Sequence, residues 1–132
     1  MATLKATFSI SSTDLFSTVN VSKTVSDSLT IDGDNRQGLT VIKTTTAYTD
    51  ITIEALSGSG GGDHAAKKAY VYIKNLDTVD DLIIADDEST AQVYSRLSPG
   101  EFLFFPASNN TAINVKSSAN TPLCEYLILE KA

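Results

Sequence analysis

Residues Tyr94 to Pro106 read YSRLSPGEFLFFP. Pro99 holds φ near the value required at the first central position of a tight turn, and Gly100 can adopt the positive φ of the second. Ser98-Pro99-Gly100-Glu101 is therefore a turn of type I or II, expected to join two antiparallel strands as a hairpin. Tyr94, Leu97 and Phe102–Phe105 hold much of the chain's aromatic and bulky apolar surface. A strand apolar on both faces, as Phe102–Phe105 is, belongs inside the protein or at a subunit contact. This hairpin is the spine against which the other strands are expected to pack.

Working outward, the same strand-and-turn grammar recurs. Thr3–Ile10 alternates, with Leu4, Ala6, Phe8 and Ile10 on one face, the pattern of a half-buried strand. Ser11-Ser12-Thr13-Asp14 is a polar break. Phe16–Lys23 and Thr24–Ile31 are two weakly hydrophobic strands, with Val19, Val21 and Val25 pointing one way and Leu29 and Ile31 ending the run. Asp32-Gly33-Asp34-Asn35 is a turn signal. Leu39–Lys43 and Thr49–Leu56 are strands, and Ser57–Asp63, SGSGGGD, is a flexible loop. Ala65–Ala69 is compatible with one helical turn. Ala69–Lys74, Leu82–Ala85, Ala91–Leu97, Glu101–Phe105, Ala112–Lys116 and Leu123–Glu130 complete the strands. Strands recurring about every ten residues predict an all-β fold: an antiparallel β-sandwich, jelly-roll-like, in a single domain over residues 1–132.

The totals narrow the function. The 132 residues are 42% hydrophobic and 20% charged, the range of one globular domain. The net charge of −6 repels phosphate backbones and anionic lipid, so no nucleic acid and no membrane partner is expected. The opening residues lack a signal-peptide core, and no apolar run is long enough to cross a bilayer. With Cys124 alone, no intrachain disulfide can form.

The polar residues offer several candidates for catalytic or metal chemistry, and each has a plainer reading. His64 is the single histidine, and a zinc site needs further His or Cys ligands; the same shortage argues against a cupin enzyme. Asp77, Asp80, Asp81, Asp86, Asp87 and Glu88 form the densest charge cluster, but their spacing matches no calcium loop, and they read as solvated loops. Gly58–Gly62 lacks the Gly-Lys-Ser/Thr of a phosphate loop. Nothing selects a glycosidase pair among Glu54, Glu101, Glu125 and Glu130, and no G-x-S-x-G nucleophile motif is present. Cys124 shares a face with Tyr126 and Ile128 and reads as a small buried hydrophobe. No catalytic residue, metal ligand or cofactor is expected.

Three stretches carry a resemblance to small virion structural proteins of tailed bacteriophages, especially the cyanophage-like group: ATLKATFSISSTDL at Ala2–Leu15, AYVYIKN at Ala69–Asn75, and LSPGEFLFFP at Leu97–Pro106 together with EYLI at Glu125–Ile128. The resemblance implies a non-enzymatic capsid decoration (cement) protein that binds the major capsid protein, is made in the host cytoplasm and resides on the capsid surface of the virion. Decoration proteins commonly sit at three-fold positions, so a homotrimer is favoured. The Phe102–Phe105 surplus and the strands of Phe16–Ile31 are the expected contact surfaces. The alternatives are a tail or fibre-associated module that meets the host surface, or a small carbohydrate- or calcium-binding β module. Exposed Tyr48, Tyr70 or Tyr94 beside a carboxylate-lined groove would favour the last.

Overall fold

The computed structural model describes residues 2–16, 19–31, 38–51, 68–86, 92–107 and 112–131. His64, Glu54, Asp87, Glu88, the Gly/Ser loop at 57–63, the turn at Asp32–Asn35, the helical turn begun at Ala65 and the end of the Thr49–Leu56 strand lie outside them. The chain divides into two compact units, Met1–Asp34 and Asn35–Lys131.

The first unit is a two-stranded antiparallel ribbon of β1 (Ala2–Phe16) and β2 (Val19–Ile31). Ala2 pairs with Ile31, and the register runs unbroken to Ser12 opposite Val21. Two expectations are corrected. The polar break at Ser11–Asp14 is not a break, because β1 runs through it to Phe16 with only a register irregularity between Ser12 and Phe16. The division between Lys23 and Thr24 is absent too, since β2 is one strand. Threonine and valine fit a pleated surface, and serine costs the ladder little when its partner is in register. On one face of the ribbon, hydroxyls meet across the strands, Thr7 with Ser26 at 3.2 Å and Ser9 with Thr24 at 3.1 Å. The other face carries Leu4, Phe8 and Ile10 with Val21, Val25 and Leu29.

The second unit holds eight strands: β3 (Thr40–Lys43), β4 (Thr49–Asp50), β5 (Ala69–Asn75), β6 (Leu82–Ala85), β7 (Val93–Leu97), β8 (Phe102–Ala107), β9 (Asn114–Ser117) and β10 (Leu123–Glu130). They form two four-stranded sheets, ordered β3-β10-β5-β8 and β4-β9-β6-β7, and every pairing is antiparallel. No helix occurs among the described residues. The alternation of AYVYIKN decides which side of β5 is core: Ala69, Val71 and Ile73 are buried, while Tyr70 and Tyr72 face outward. Val71 and Ile73 of β5, Ile128 and Cys124 of β10, Leu82 and Ile84 of β6, Val115 of β9 and Leu97 of β7 meet in one hydrophobic cluster. Cys124 is buried there, as its alternation indicates. Thr44, after β3, is fully buried, and its N–H and hydroxyl both donate to the Pro122 carbonyl at 2.9 Å.

The turn at Ser98–Glu101 forms. The Glu101 N–H donates to the Ser98 carbonyl at 3.0 Å, and Gly100 has φ of 80°, the value at the second central position of a type II turn. The hairpin reading around it is corrected: β7 and β8 are edge strands of different sheets and do not pair. The backbone of Asn75 explains the switch. Its N–H donates to Glu101 at 2.9 Å and its carbonyl accepts from Gly100 at 3.1 Å, so the chain leaving the turn is captured by β5. Pro106 is accommodated because β8 is an edge strand, one of the few places where the missing N–H does not break a ladder.

Candidate interaction surface

The two sheets present different outer faces. On the β4-β9-β6-β7 sheet the outer row reads Lys116, Ile83, Arg96 across β9, β6 and β7, and Ile83 is buried. Charge flanks the apolar residue, Arg96 pairs with Asp81 at 3.2 Å, and the Lys116 ammonium lies 4.3 Å from the centre of the Tyr48 ring.

The outer face of the β3-β10-β5-β8 sheet is aromatic and aliphatic. Cross-strand partners line up in three rows: Val41, Glu125, Lys74 and Phe102; then Leu127, Tyr72 and Phe104; then Leu129, Tyr70 and Pro106. Tyr70 stacks on Phe104 with ring centres 6.2 Å apart and planes 9° from parallel, and Tyr72 lies 6.4 Å from Phe102. Phe102 remains 56% exposed and Phe104 41%; Val41, Leu123 and Pro106 are also exposed. A contiguous exposed apolar patch rimmed by polar groups marks an interaction site, and Tyr and Phe are enriched where protein surfaces meet.

Polar groups interrupt this face at Glu125, Lys74 and the Tyr72 hydroxyl. The Tyr72 hydroxyl donates to Glu125 Oε1 at 2.9 Å. Partial desolvation, then the hydrogen bond to Glu125 and its negative charge, push the Tyr72 phenol up to about 12. Lys131 Nζ sits 4.5 Å from the centre of the Tyr70 ring, a cation–π contact at the margin. On the inner side of the same sheet, burial and then the nearby Glu125 charge push the Cys124 thiol up to about 12, which keeps it protonated and unreactive.

The described residues of the acidic cluster, Asp77, Asp80, Asp81 and Asp86, are engaged in local structure. The Asp77 carboxylate accepts from the N–H groups of Thr78 and Val79 at 2.6 and 3.3 Å. Asp80 accepts from Asn120 at 2.7 Å, and Asp86 from the Gln92 N–H at 2.6 Å. Among the described residues no three His, Cys, Asp or Glu side chains are grouped to hold a metal ion. Glu101 accepts from the Ser98 N–H at 2.8 Å and braces the type II turn, whereas Glu130 is buried at the end of β10. Of the three tyrosines considered as sugar platforms, Tyr48 and Tyr70 are engaged by lysine ammonium groups. Tyr94 is exposed and donates its hydroxyl to the Ala112 carbonyl at 3.2 Å.

Sequence reading finds the Phe102–Phe105 surplus and misses the rest of the face. The missing signal was the second set of alternate residues, Tyr70 and Tyr72 in β5 and Leu127 and Leu129 in β10, which makes those strands apolar on both sides. No protein-family model, no curated protein and no solved structure matches the chain.

Proposed function

We propose that the chain is a non-enzymatic bacteriophage virion structural protein, a head decoration protein that binds the major capsid protein and stabilises the shell. The observation that carries this reading is the aromatic outer face, with Phe102 56% and Phe104 41% exposed. A lone subunit has no use for such a face, whereas a subunit of a repetitive lattice gains by covering it. The likeness of Ala2–Leu15, Ala69–Asn75, Leu97–Pro106 and Glu125–Ile128 to small phage virion proteins supplies the location.

The strand order supports a finer fold reading as well. From β3 to β10 the chain changes sheet at every connection except β6 to β7. Eight strands wound this way in two facing sheets form a jelly-roll sandwich, an architecture shared by viral capsid and lectin domains. Fold alone does not select among those uses; the exposed aromatic face supports the capsid one. In this reading Phe102 and Phe104 meet neighbouring copies, and a homotrimer at capsid three-fold positions is the unit that bridges capsomers. Many weak, identical contacts on a lattice add up to a strong clamp through effective concentration.

The test is immunogold labelling of intact particles of the phage that encodes the chain. Label over the head is expected. Label confined to the tail would favour a tail or fibre-associated module. Absence from particles, with glycan binding through Tyr94, would favour a carbohydrate-binding module instead.

A further inference from the structure

The β1–β2 ribbon has an apolar face of its own. Its cross-strand rows are Ala2/Ile31, Leu4/Leu29, Ala6/Asp27, Phe8/Val25, Ile10/Lys23 and Ser12/Val21. Phe8 is 51% exposed, Ile10 46% and Val25 52%. A two-stranded ribbon is marginal in water unless its apolar face is covered.

We propose that this face docks on the same face of a second copy, about a two-fold axis running across the ribbon at Phe8 and Val25. The pattern is self-complementary about that row. Rotation about the axis reverses the strands and lays each row on the row equally far on the other side. Phe8 and Val25 then meet their own counterparts. Ile10 comes over the small Ala6 of the second copy, and Lys23 comes over its Asp27. Within one strand Lys23 and Asp27 are four residues apart, about 13 Å, too far to pair with each other. Asp27 Oδ1 accepts the Ser28 N–H at 2.7 Å, which holds the carboxylate beside the strand. A three-fold arrangement with parallel ribbons would set Lys23 beside Lys23, so the charge pattern selects the two-fold. The opposite face, with its Thr7–Ser26 and Ser9–Thr24 hydroxyl pairs, satisfies itself and is suited to water.

The rows that overlie one another, Leu4/Leu29 to Ser12/Val21, span about 26 Å by about 10 Å, on the order of 260 Å² per copy, from strand rise and spacing. Faces of that size form weak contacts, so the contact is best read by covalent trapping. Cys124 is the single native cysteine and is buried, which leaves an introduced thiol as the reactive one. The experiment treats full-length Val25→Cys with a short bismaleimide and measures covalent dimer on a denaturing gel, with Ser26→Cys on the opposite face as control. Val25→Cys is expected to give several-fold more dimer than Ser26→Cys. Adding Lys23→Glu or Asp27→Lys to Val25→Cys is expected to lower the yield several-fold. The two charge changes together are expected to restore it, because each restored pair spans two molecules. Equal yields from the two cysteine positions, or no recovery in the double charge swap, would overturn the proposal. Neither result bears on where the protein sits in a virion, which the labelling experiment reads separately.

Discussion

The side-chain amide of Asn75 donates to the main-chain carbonyl of Leu97 at 3.0 Å, linking the end of β5 to the end of β7 in the other sheet. The same amide nitrogen donates to the Asp80 carbonyl at 2.8 Å, and Asn75 Oδ1 accepts the Asp77 N–H at 3.0 Å. Asn75 is fully buried. It thus joins both sheets, the 76–81 loop and, through its backbone, the turn at Gly100.

Asn75→Ala should therefore destabilise the fold strongly. It strands the buried Leu97 carbonyl and the half-buried Asp80 carbonyl and Asp77 N–H, at about 1–3 kcal/mol for each group left without a partner or water, and a net loss of about 3 kcal/mol is expected. Urea denaturation of the variant against the parent measures it. A change below about 1 kcal/mol would mean that solvent replaces these bonds freely.

Gly100→Val should lower stability by about 1–3 kcal/mol, because φ of 80° is costly for a β-branched side chain. No atom lies within 4 Å of a Cβ built at Gly100, so the cost is conformational and not a clash. A thermal melt equal to the parent's would contradict the positive φ.

Phe104 and Ile73 should behave oppositely. Ile73 is fully buried, and Ile73→Ala should cost about 2–5 kcal/mol. Phe104→Ser lies on the outer face and should leave subunit stability within about 1 kcal/mol. It should also shift the mass by light scattering towards 14.1 kDa. A parent already at 14.1 kDa at every concentration would leave assembly to the capsid surface alone, and a large loss of stability in Phe104→Ser would place that ring in the core.

Stability should fall in alkali through Tyr72. Its phenol goes from 10.0 to about 12 on folding, so the protonated form is favoured in the folded state. The contribution is complete below pH 10 and is lost as pH rises from about 10 to about 12. Tyr72→Phe should flatten that part of the stability profile, read by urea midpoints across the range. An unchanged slope would remove the Tyr72–Glu125 bond from the account.

Much of this fold is legible in the chain, and the exceptions have physical causes. The alternation in AYVYIKN and the Pro-Gly pair locate β5 and the type II turn, because period and φ are local properties. Which sheet the chain enters after that turn is not local. It depends on Asn75, twenty-five residues upstream of Gly100 in sequence, whose backbone takes up the groups leaving the turn. The strand through Ser11–Asp14 was hidden because its support comes from Ser22 and Val21 across the ribbon. The aromatic face was half legible: Phe102 and Phe104 stand out in a run, whereas Leu127 and Leu129 look like ordinary core until register turns them outward.

A cryo-EM map of the virion at a resolution that shows side chains reads the location and the contacts together. This chain is expected on the outer surface of the head, grouped around three-fold positions, with Phe102 and Phe104 packed against neighbouring protein. Density for the chain in the tail, or a head-bound chain with Phe102 and Phe104 turned into solvent, would contradict this expectation.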